Sequence, residues 1–398
     1  MYKLNQLIQE LCPDGVLRYL ISDICDITRG RVMSKDYIRE NEGDYPVYSS
    51  QTENNGELGR ISTYDFNGEY LTWTTDGANA GTVFYRNEKF SVTNVCGLLK
   101  IKVEDILTKY VYYVLSVEAP KYVNSGMGNP KLMSNVMAHI KIPVPPLPVQ
   151  REIVRILDNF TELTAELTAE LTARRKQYEY YRDELLSFNG DVPKLFLEEV
   201  IVSLNTGLNP RQFFRLNTED ATNYYVTIRE IVGGRIIPTN KTDRINDNAL
   251  ELCNNRSNLE VGDVLFSGTG TIGETAVIME EPYNWNIKEG VYTIKPDQRR
   301  ILSKFLRYLL TASHIKATYM KKAAGGTVKS IPMGEMRKLK IPVPPLEEQA
   351  RIVSILDRFD ALCNDLTSGL PAEIEVRKKQ YEYYRDKLLS FKSLSRNS

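Results

Sequence analysis

The sequence KIPVPPL stands at residues 141–147 and returns unchanged at residues 340–346. A helical pattern follows each copy, QREIVRILDNF at 150–160 and QARIVSILDRF at 349–359, and leads to the sequence KQYEYYRD at 176–183 and 379–386. An internal repeat of this kind indicates a duplicated architecture. We therefore predict two related halves, in which a globular domain is followed by a helical repeat.

The apolar residues of each repeat fall at steps of three and four, which is typical of one apolar stripe on a helix. The prolines before them fix φ and cannot continue a helix, so each helix should begin just after the proline cluster. The first helix could run for about 38 residues, or roughly 57 Å. The stripe comprises Ile153, Ile156, Leu157, Phe160, Leu163, Leu167, Leu171, Tyr178, Tyr181 and Leu185 in the first repeat, and Ile352, Ile355, Leu356, Phe359, Leu362, Leu366 and Leu370 in the second.

A helix this long needs another helix to cover its stripe, and the other repeat carries a matching one. We predict that the two helices pack as an antiparallel coiled coil. The alternative is two separate helix pairs, each packed on its own domain. The residues expected to pack between helices or against a partner are Ile153, Leu157, Phe160, Leu167, Tyr181, Ile352, Leu356, Phe359 and Tyr384.

The two helices should differ in detail. Residues 162–173 read ELTA three times, and a step of four residues advances beyond one helical turn, so the stripe should wind around the helix. The second repeat lacks these units and carries Gly369-Leu370-Pro371 instead. A proline there should kink or interrupt the second helix.

The composition, with 42% hydrophobic and 26% charged residues among 398, is ordinary for a globular protein and suggests two or three domains. No apolar run approaches the roughly 18 residues of a membrane span, and residues 1–11 do not resemble a signal peptide, so we expect a cytoplasmic protein without a membrane partner. The cysteines are odd in number and widely spaced, which argues against a disulfide framework: they are Cys12, Cys25, Cys96, Cys253 and Cys363.

The formal net charge is zero and the isoelectric point is about 6.8. This is mild evidence against a protein that holds nucleic acid by bulk charge alone. Local basic surfaces remain compatible with DNA binding, and a partner protein could share the phosphate contacts.

The segments outside the repeats form two domains of similar size with the same order of elements. Strands are predicted at 69–73, 82–85 and 97–102, and at 264–266, 275–279 and 291–295; helices follow at 106–119 and 301–319, and glycine-rich loops with a lysine at 124–131 and 323–329. The predicted class is α+β with pseudo-twofold duplication, divided into a first domain 1–141, a first helical spacer 142–188, a second domain 189–340, a second spacer 341–391 and a tail 392–398. Constant helices suggest two equivalent contacts with a common partner, and divergent domains suggest two different ligands.

Motifs for catalysis or cofactor binding are missing. Residues 268–273 match GxGxxG, but a dinucleotide fold requires a helix next, and residues 274–279 read as a strand. A glycine-rich β-turn is the favoured interpretation, and residues 76–81 form a related turn. The sequence contains neither a Walker loop nor an NPPF- or DPPY-like tetrapeptide, it has no convincing PD…ExK spacing, and His139 and His314 lie too far apart in sequence for a zinc motif. We expect no catalytic residue, metal site or cofactor in this chain.

Basic and polar segments at equivalent positions of the two domains are the candidates for DNA contact. Arginine, asparagine and glutamine suit guanine and adenine edges, and lysines and glycine-loop amides suit phosphates. For any single residue, an ordinary solvated loop remains the more frequent explanation. The candidates are Arg29, Arg31, Lys35, Tyr48, Ser49, Gln51, Thr75, Asn79, Lys131, Asn209, Arg211, Gln212, Arg229, Thr269, Thr271 and Lys329.

The twice-occurring pattern IPVPPL-x-x-Q-x-x-IV-x-ILD-x-F, followed by a helix ending KQYEYYRD-x-LLSF, resembles the specificity subunit of Type I restriction–modification systems. The turn at 76–81 with the following segments TVF and TNV, and the sequence GDVL that leads into 268–273, look like that family's target-recognition domains. The resemblance covers the whole chain in the order domain, helix, domain, helix.

The resemblance implies that each target-recognition domain reads one half of an asymmetric bipartite site in double-stranded DNA. The helices would set the gap and dock two modification (methyltransferase) subunits. S-adenosylmethionine, ATP and Mg would belong to the modification and restriction/translocase subunits, and this chain would be a non-catalytic recognition subunit.

Three alternatives remain open. The first is an assembly scaffold whose lobes bind proteins rather than DNA. The second is an enzyme with a cryptic nuclease or methyltransferase site in one domain. The third is the specificity component of another bipartite-site system with different partner subunits.

Overall fold

The computed structural model describes residues 2–126, 128–188, 190, 192–365 and 368–394, and all of their side chains except that of Gln212. The chain forms two compact units. The first unit combines Met1–Glu166 with Val376–Ser398, and the second is the continuous segment Leu167–Glu375. Each helical repeat is therefore divided between the units, whereas the sequence-based boundaries assign each repeat to a segment of its own.

The first unit is built mainly from the N-terminal third of the chain. Its strands are β1 Arg18–Leu20, β2 Cys25–Arg29, β3 Tyr45–Tyr48, β4 Glu57–Ile61, β5 Phe66–Thr74, β6 Val83–Val92, β7 Cys96–Ile101 and β8 Lys141–Pro143. Its helices are α1 Tyr2–Leu11, α2 Ile21–Ile24, α3 Lys35–Glu40, α4 Thr108–Glu118 and α5 Ser134–Ala138, with 3-10 turns at Glu53–Gly56 and Ala119–Tyr122.

A six-stranded sheet in the order β2-β7-β5-β6-β3-β4 forms the centre of this unit. Its pairs are antiparallel except for β3 with β6. The buried half of β5 includes Trp73, whose indole N–H donates to the Leu132 carbonyl oxygen at 2.9 Å. Tyr110 and Val111 of α4 share its core, so α4 covers one face of the sheet.

The second unit has more and shorter strands. They are β9 Lys194–Phe196, β10 Ile201–Thr206, β11 Asn223–Val226, β12 Ile231–Val232, β13 Arg235–Ile236, β14 Arg244–Ile245, β15 Val264–Ser267, β16 Thr275–Val277, β17 Trp285–Ile287, β18 Val291–Pro296 and β19 Lys340–Pro342. The long helix α6 Leu147–Leu185 leads into this unit, which also holds α7 Pro210–Phe213, α8 Asp247–Ser257, α9 Ser303–Thr311, α10 Ser313–Met320, α11 Met333–Arg337 and α12 Leu346–Asn364, with 3-10 turns at Leu197–Glu199 and Ile228–Glu230.

Each unit contains a core of four strands in the same arrangement. The order β10-β18-β15-β16 of the second unit corresponds to β2-β7-β5-β6 of the first, and all of these pairs are antiparallel. The first unit extends this core with β3 and β4, and the second has a separate three-stranded sheet, β14-β11-β17. The predicted duplicated α+β architecture is therefore confirmed, and each predicted strand overlaps an observed one.

One predicted helix is wrong in its extent. The segment 301–319 forms two helices because Ala312 takes extended dihedrals, φ −63° and ψ 137°. The break frees the backbone N–H of Ser313, which donates to the Asp183 carboxylate at 3.0 Å. Burial opposes ionisation of Asp183, yet the hydrogen bonds from Ser313 hold the pKa of this carboxyl below its usual range. The continuous apolar pattern of the segment gave no sign of this contact.

The long first helix is confirmed, since α6 comprises 39 residues. The second repeat is interrupted as predicted: α12 ends at Asn364, and α13 spans Leu370–Leu388. Pro371 lies in the first turn of α13, where a missing N–H costs no hydrogen bond. A Cβ at Gly369 would lie 2.6 Å from the Ala361 carbonyl oxygen, so the break requires glycine there.

The repeats pack against each other within each unit. In the first unit, Phe160 stacks on Tyr384 with ring centroids 5.5 Å apart. In the second, Tyr181 stacks on Phe359 at 5.7 Å. An early residue of one repeat thus meets a late residue of the other, which is the predicted antiparallel arrangement.

The apolar stripe also packs on the domains. Ile153 and Leu157 are fully buried among residues of the first domain, and Ile352 and Leu356 occupy the same position in the second. The alternative of helices packed on their own domains thus describes the early part of each repeat. Leu167, in contrast, is only half-buried.

A buried glutamine fixes each repeat to its domain. Gln150 accepts the Leu107 N–H at 3.0 Å and donates to the carbonyl oxygens of Asp105 and Pro145 at 2.9 and 2.8 Å. Gln349 accepts from Leu302 at 2.9 Å and donates to two carbonyl oxygens, both at 2.8 Å. The glutamine therefore satisfies one buried donor and two acceptors where helix and domain meet.

All five cysteines are buried free thiols, and burial raises the pKa of Cys253 to about 11. Within the described ranges, no helix combines the length and the apolar character needed to cross a membrane.

Candidate nucleic-acid interface

Each domain joins a glycine turn to a glycine-rich loop through the same pair of backbone hydrogen bonds. In the first, the Gly77 N–H donates to the Pro130 carbonyl oxygen at 3.0 Å, and the Leu132 N–H donates to that of Thr75 at 2.9 Å. In the second, the Gly270 N–H donates to the Lys329 carbonyl oxygen and the Ile331 N–H to that of Gly268, both at 2.9 Å. The turns 76–81 and 268–273 connect β5 to β6 and β15 to β16 respectively, so the two turn–loop pairs are structural equivalents.

The GxGxxG sequence is a turn between two strands, as predicted. Gly270 and Gly273 have φ of +79° and +99°, which favours glycine. A Cβ at Gly273 would lie 2.4 Å from the Tyr319 hydroxyl oxygen. These glycines therefore serve the fold of the loop.

The lysines of the two turn–loop pairs are exposed. Lys131 lies 3.8 Å from an Asp76 carboxylate oxygen. Lys329 is exposed and has no ion-pair partner among the described residues. Thr271 is exposed and Thr269 is half-buried beside it. Ammonium groups and threonine hydroxyls of this kind suit phosphate oxygens.

The predicted basic segment of the first domain lies at the end of β2 and the start of α3. Arg29 donates to the Ser134 hydroxyl at 3.1 Å, and Arg31 pairs with Asp65 at 3.1 Å. Hydrogen bonds to Tyr37 and to Asp65 raise the pKa of Arg31. Lys35 is exposed in the first turn of α3.

Several side chains predicted to contact DNA form hydrogen bonds within the protein. Tyr48 is 4% exposed and donates its hydroxyl to Glu88 at 2.6 Å, while Thr75 is fully buried and donates its hydroxyl to Asp76 and to a backbone carbonyl. Ser49 shares a 2.8 Å hydrogen bond with Thr93, and Gln51 donates to the backbone carbonyl oxygen of Glu57 at the start of β4. These side chains hold the loop after β3, and their contact with DNA stays a prediction.

The remaining candidates are mostly exposed. Asn79 donates to Thr52 at 2.9 Å. Asn209 caps α7 by accepting the Arg211 N–H at 3.1 Å, and the Arg211 side chain is exposed. Arg229 pairs with Asp243 at 2.9 Å, and the side chain of Gln212 lies outside the described part.

The sequence reasoning missed three residues of the first domain. Arg86 is 2% exposed and lies with its guanidinium 3.5 Å from the Tyr48 ring centroid. It donates to the Asn55 carbonyl oxygen at 2.7 Å, and the side chains of Asn54 and Asn55 are exposed above it. The sequence Asn-Asn-Gly signals a turn, but only the fold brings that turn to Arg86.

The described residues contain no group of three or more His, Cys, Asp or Glu side chains placed to hold a metal ion. What the arrangement offers is two equivalent turn–loop pairs, one with exposed amide and ammonium groups and the other with exposed hydroxyl and ammonium groups. Such groups bind phosphates and read base edges.

A family model described as the Type I restriction modification DNA specificity domain matches residues 13–174 and 192–376. A protein of Mycoplasma pneumoniae named as a type I specificity subunit is 36% identical over 378 residues, covering 94% of this chain and 97% of that one. The specificity subunit of the type I restriction enzyme MpnII from the same organism is 46% identical over 195 residues, 48% of this chain and 57% of that protein.

Two solved structures share the fold. The S subunit of a Type I restriction–modification system from M. genitalium has a TM-score of 0.55 at 16% identity, with 94% of each chain covered. A chain solved in work on assembly and conformational transition of the type I R-M system has a TM-score of 0.59 at 17% identity, with 95% of this chain and 98% of that one covered. With the family model matched on both domains and a relative above 30% identity along nearly the whole length, this chain belongs to the family of Type I restriction–modification specificity subunits.

Proposed function

We propose that each domain of this chain reads one half of an asymmetric, bipartite site in double-stranded DNA and that the chain itself performs no chemistry. The observation that carries this proposal is the pair of equivalent turn–loop structures, which have the same backbone hydrogen bonds but different side chains. One turn–loop pair exposes Asn79 and Lys131, and the other exposes Thr271 and Lys329. Two turn–loop pairs with the same backbone hydrogen bonds but different exposed side chains suit two different base sequences.

The repeats offer two equivalent docking surfaces for two modification subunits. Lys176, Glu179 and Tyr180 are exposed in the first repeat, and the identical residues Lys379, Glu382 and Tyr383 are exposed in the second. Tyr180 and Tyr383 are 64% and 62% exposed, and each ring packs edge-on against the next tyrosine. Because these side chains add little to the cores, their identity in both repeats is explained by a common partner that binds twice.

Catalysis then belongs to the partners. S-adenosylmethionine would be held by the modification subunits, and ATP and Mg by the restriction/translocase subunits. Modification subunits that approach the same DNA would also contribute phosphate contacts, which accounts for a recognition subunit with a net charge of zero.

The test is to co-express the chain with its modification subunit and to map methylated positions across genomic DNA by single-molecule sequencing. We expect one motif with two short specified blocks around a fixed unspecified gap. An assembled complex that neither methylates nor binds DNA would favour the scaffold, whose lobes bind proteins.

Docking is tested separately with the double variant Tyr180→Ala/Tyr383→Ala. We expect loss of most co-purified modification subunit, and loss of one of two copies in either single variant. Asn159→Ala is the control, since Asn159 is exposed on the same helix but is arginine at the equivalent position 358. If the double variant retains the modification subunit fully, the proposal that this surface binds the modification subunits is wrong.

A further inference from the structure

The loop 49–56 of the first domain follows β3 and contains the 3-10 turn Glu53–Gly56. It is fastened to the glycine turn 76–81. Asn79 donates its side-chain amide to the Thr52 hydroxyl at 2.9 Å, and the Thr75 N–H donates to the Ser50 hydroxyl at 3.1 Å. The Ser49 N–H donates to the Gly56 carbonyl oxygen at 3.0 Å and closes the loop on itself. Hydrogen bonds thus connect the loop directly to the turn–loop pair described above.

Two adjacent asparagines form the tip of this loop. Asn54 and Asn55 have φ of 49° and 54°, and both side chains are exposed. The left-handed region disfavours most residues other than glycine, and asparagine tolerates it best. Neither side-chain amide has a hydrogen-bond partner among the described residues. Each amide therefore presents a free donor and a free acceptor.

A buried arginine holds the tip from below. Arg86 of β6 donates to the Asn55 carbonyl oxygen at 2.7 Å and to the Thr72 hydroxyl at 3.3 Å. Its guanidinium carbon lies 3.5 Å from the Tyr48 ring centroid and 4.7 Å from that of Phe84. No carboxylate of the described chain forms an ion pair with it.

A buried cation with neutral partners is costly unless its hydrogen bonds and ring contacts are kept. Burial lowers the pKa of Arg86. Gly56 leaves room for this side chain, because a Cβ there would lie 3.2 Å from an Arg86 terminal nitrogen. The packing therefore fixes the position of the Asn55 carbonyl oxygen, and with it the tip of the loop.

We infer that Asn54 and Asn55 read adenine edges in one half of the DNA site and that Arg86 is the positioning residue that holds them for this contact. This inference rests on the proposed function. An asparagine amide matches adenine, since it can donate to N7 and accept from the N6 amino group at once. The described second domain has no such pair of adjacent left-handed asparagines, so the effect should be confined to one half-site.

The test uses the complex of the full chain with its modification subunit and compares methylation motifs by single-molecule sequencing. In Asn54→Ala/Asn55→Ala we expect one specified block to lose its preference at one or two A·T pairs, with about a 10-fold rise in methylation of substituted sites. The other block should stay as in the wild type. Asn67→Ala is the matched control, because Asn67 is exposed at the opposite end of β5 and should leave both blocks unchanged.

Arg86→Met removes the charge and the donors at similar size, and Arg86→Lys keeps the charge on a single donor nitrogen. We expect Arg86→Met to relax the same base pairs as the asparagine variant, and Arg86→Lys to restore part of the preference. If Arg86→Met does not fold, the methylation motif of Asn54→Ala/Asn55→Ala alone tests the inference.

An unchanged motif in the asparagine variant, or a relaxation at G·C pairs, would overturn the inference while leaving the proposed function intact. A wild-type complex that yields no bipartite motif would overturn both.

Discussion

Single side chains explain why the start of each repeat is constant. Gln150 and Gln349 bind the same three backbone groups in their respective domains. Asp158 and Asp357 are likewise equivalent, since each accepts from one lysine, at 2.8 and 2.7 Å, and from one tyrosine, at 2.6 and 2.7 Å. The residues that are identical in both repeats therefore include those that form the polar contacts between helix and domain, as well as those of the apolar stripe.

Gln349→Leu should destabilise the second unit by about 3 kcal/mol, because it leaves a buried N–H and two carbonyl oxygens without partners. Urea unfolding of the purified chain measures this change. Gln177→Leu is the control on a half-buried helix position, where Arg174 is the hydrogen-bond partner at 3.0 Å, and we expect a change below about 0.5 kcal/mol. Equal midpoints for the two variants would contradict the role assigned to Gln349.

At the scale of the element, the two helical repeats have diverged through their middles. The first keeps its ELTA units and remains one helix, whereas the second breaks between Asn364 and Leu370. Gly369 donates its N–H to the Asp365 carbonyl oxygen at 3.0 Å and accepts from Ala372 at 3.0 Å. These hydrogen bonds connect Gly369 to Asp365 and to the first turn of α13.

Gly369→Ala should lower the stability of the second unit by about 1–3 kcal/mol, since the added methyl group would overlap several carbonyl oxygens. The added Cβ would lie 2.6 Å from the carbonyl oxygen of Ala361, 2.8 Å from that of Leu362 and 2.9 Å from that of Asp365. Thermal unfolding of the purified chain is the measurement. Gly334→Ala is the control, because its Cβ would meet no atom within 4 Å in α11 and should be neutral or slightly stabilising. The prediction fails if both variants melt together.

Removal of residues 166–169 from α6 should shorten the preferred DNA spacer by one or two base pairs, if the proposed function holds. Four residues contribute about 6 Å of helix, and DNA rises about 3.4 Å per base pair. The methylation motif of the variant complex gives the spacer directly. Both specified blocks should remain the same, and an unchanged spacer would reject the helix as the determinant of the gap.

At the scale of the whole molecule, the first unit is assembled from both ends of the chain. The Val16 N–H donates to the Lys392 carbonyl oxygen at 2.9 Å, and the Leu394 N–H donates back to Val16 at 3.0 Å. Leu388 and Leu389 are buried in the core of this unit. The second unit needs no such closure, because its segment is continuous.

Deletion of residues 388–398 should therefore destabilise the first unit and spare the second. The variant loses two buried leucines, for which the loss of even one side chain commonly costs about 2–5 kcal/mol, together with the backbone bonds to Val16. Limited proteolysis with mass spectrometry reads both units at once, and the second unit is the internal control. We expect early cleavage within residues 1–166 and a protected fragment from the second unit; equal protection of both would argue against this view of the first unit.

Local patterns were sufficient for much of the architecture. The strands β5, β15 and β18, the long α6 and the interruption before Pro371 all follow from periodicity, glycine and proline, which act over a few residues. The family also follows from the repeated motif. In contrast, the break at Ala312 is accompanied by a hydrogen bond from the Ser313 N–H to Asp183, which lies far away in sequence.

The amino-acid sequence by itself determined the duplication, the order of elements and the membership of the specificity-subunit family, because these depend on residue identity and spacing. Only the tertiary structure decided which polar residues face solvent. Tyr48 and Thr75 are buried, whereas Asn54 and Asn55 are exposed above Arg86. The physical reason is that burial depends on strands brought together by the fold, and no local window contains those neighbours. The same reason applies to the first unit, whose two ends meet only in three dimensions.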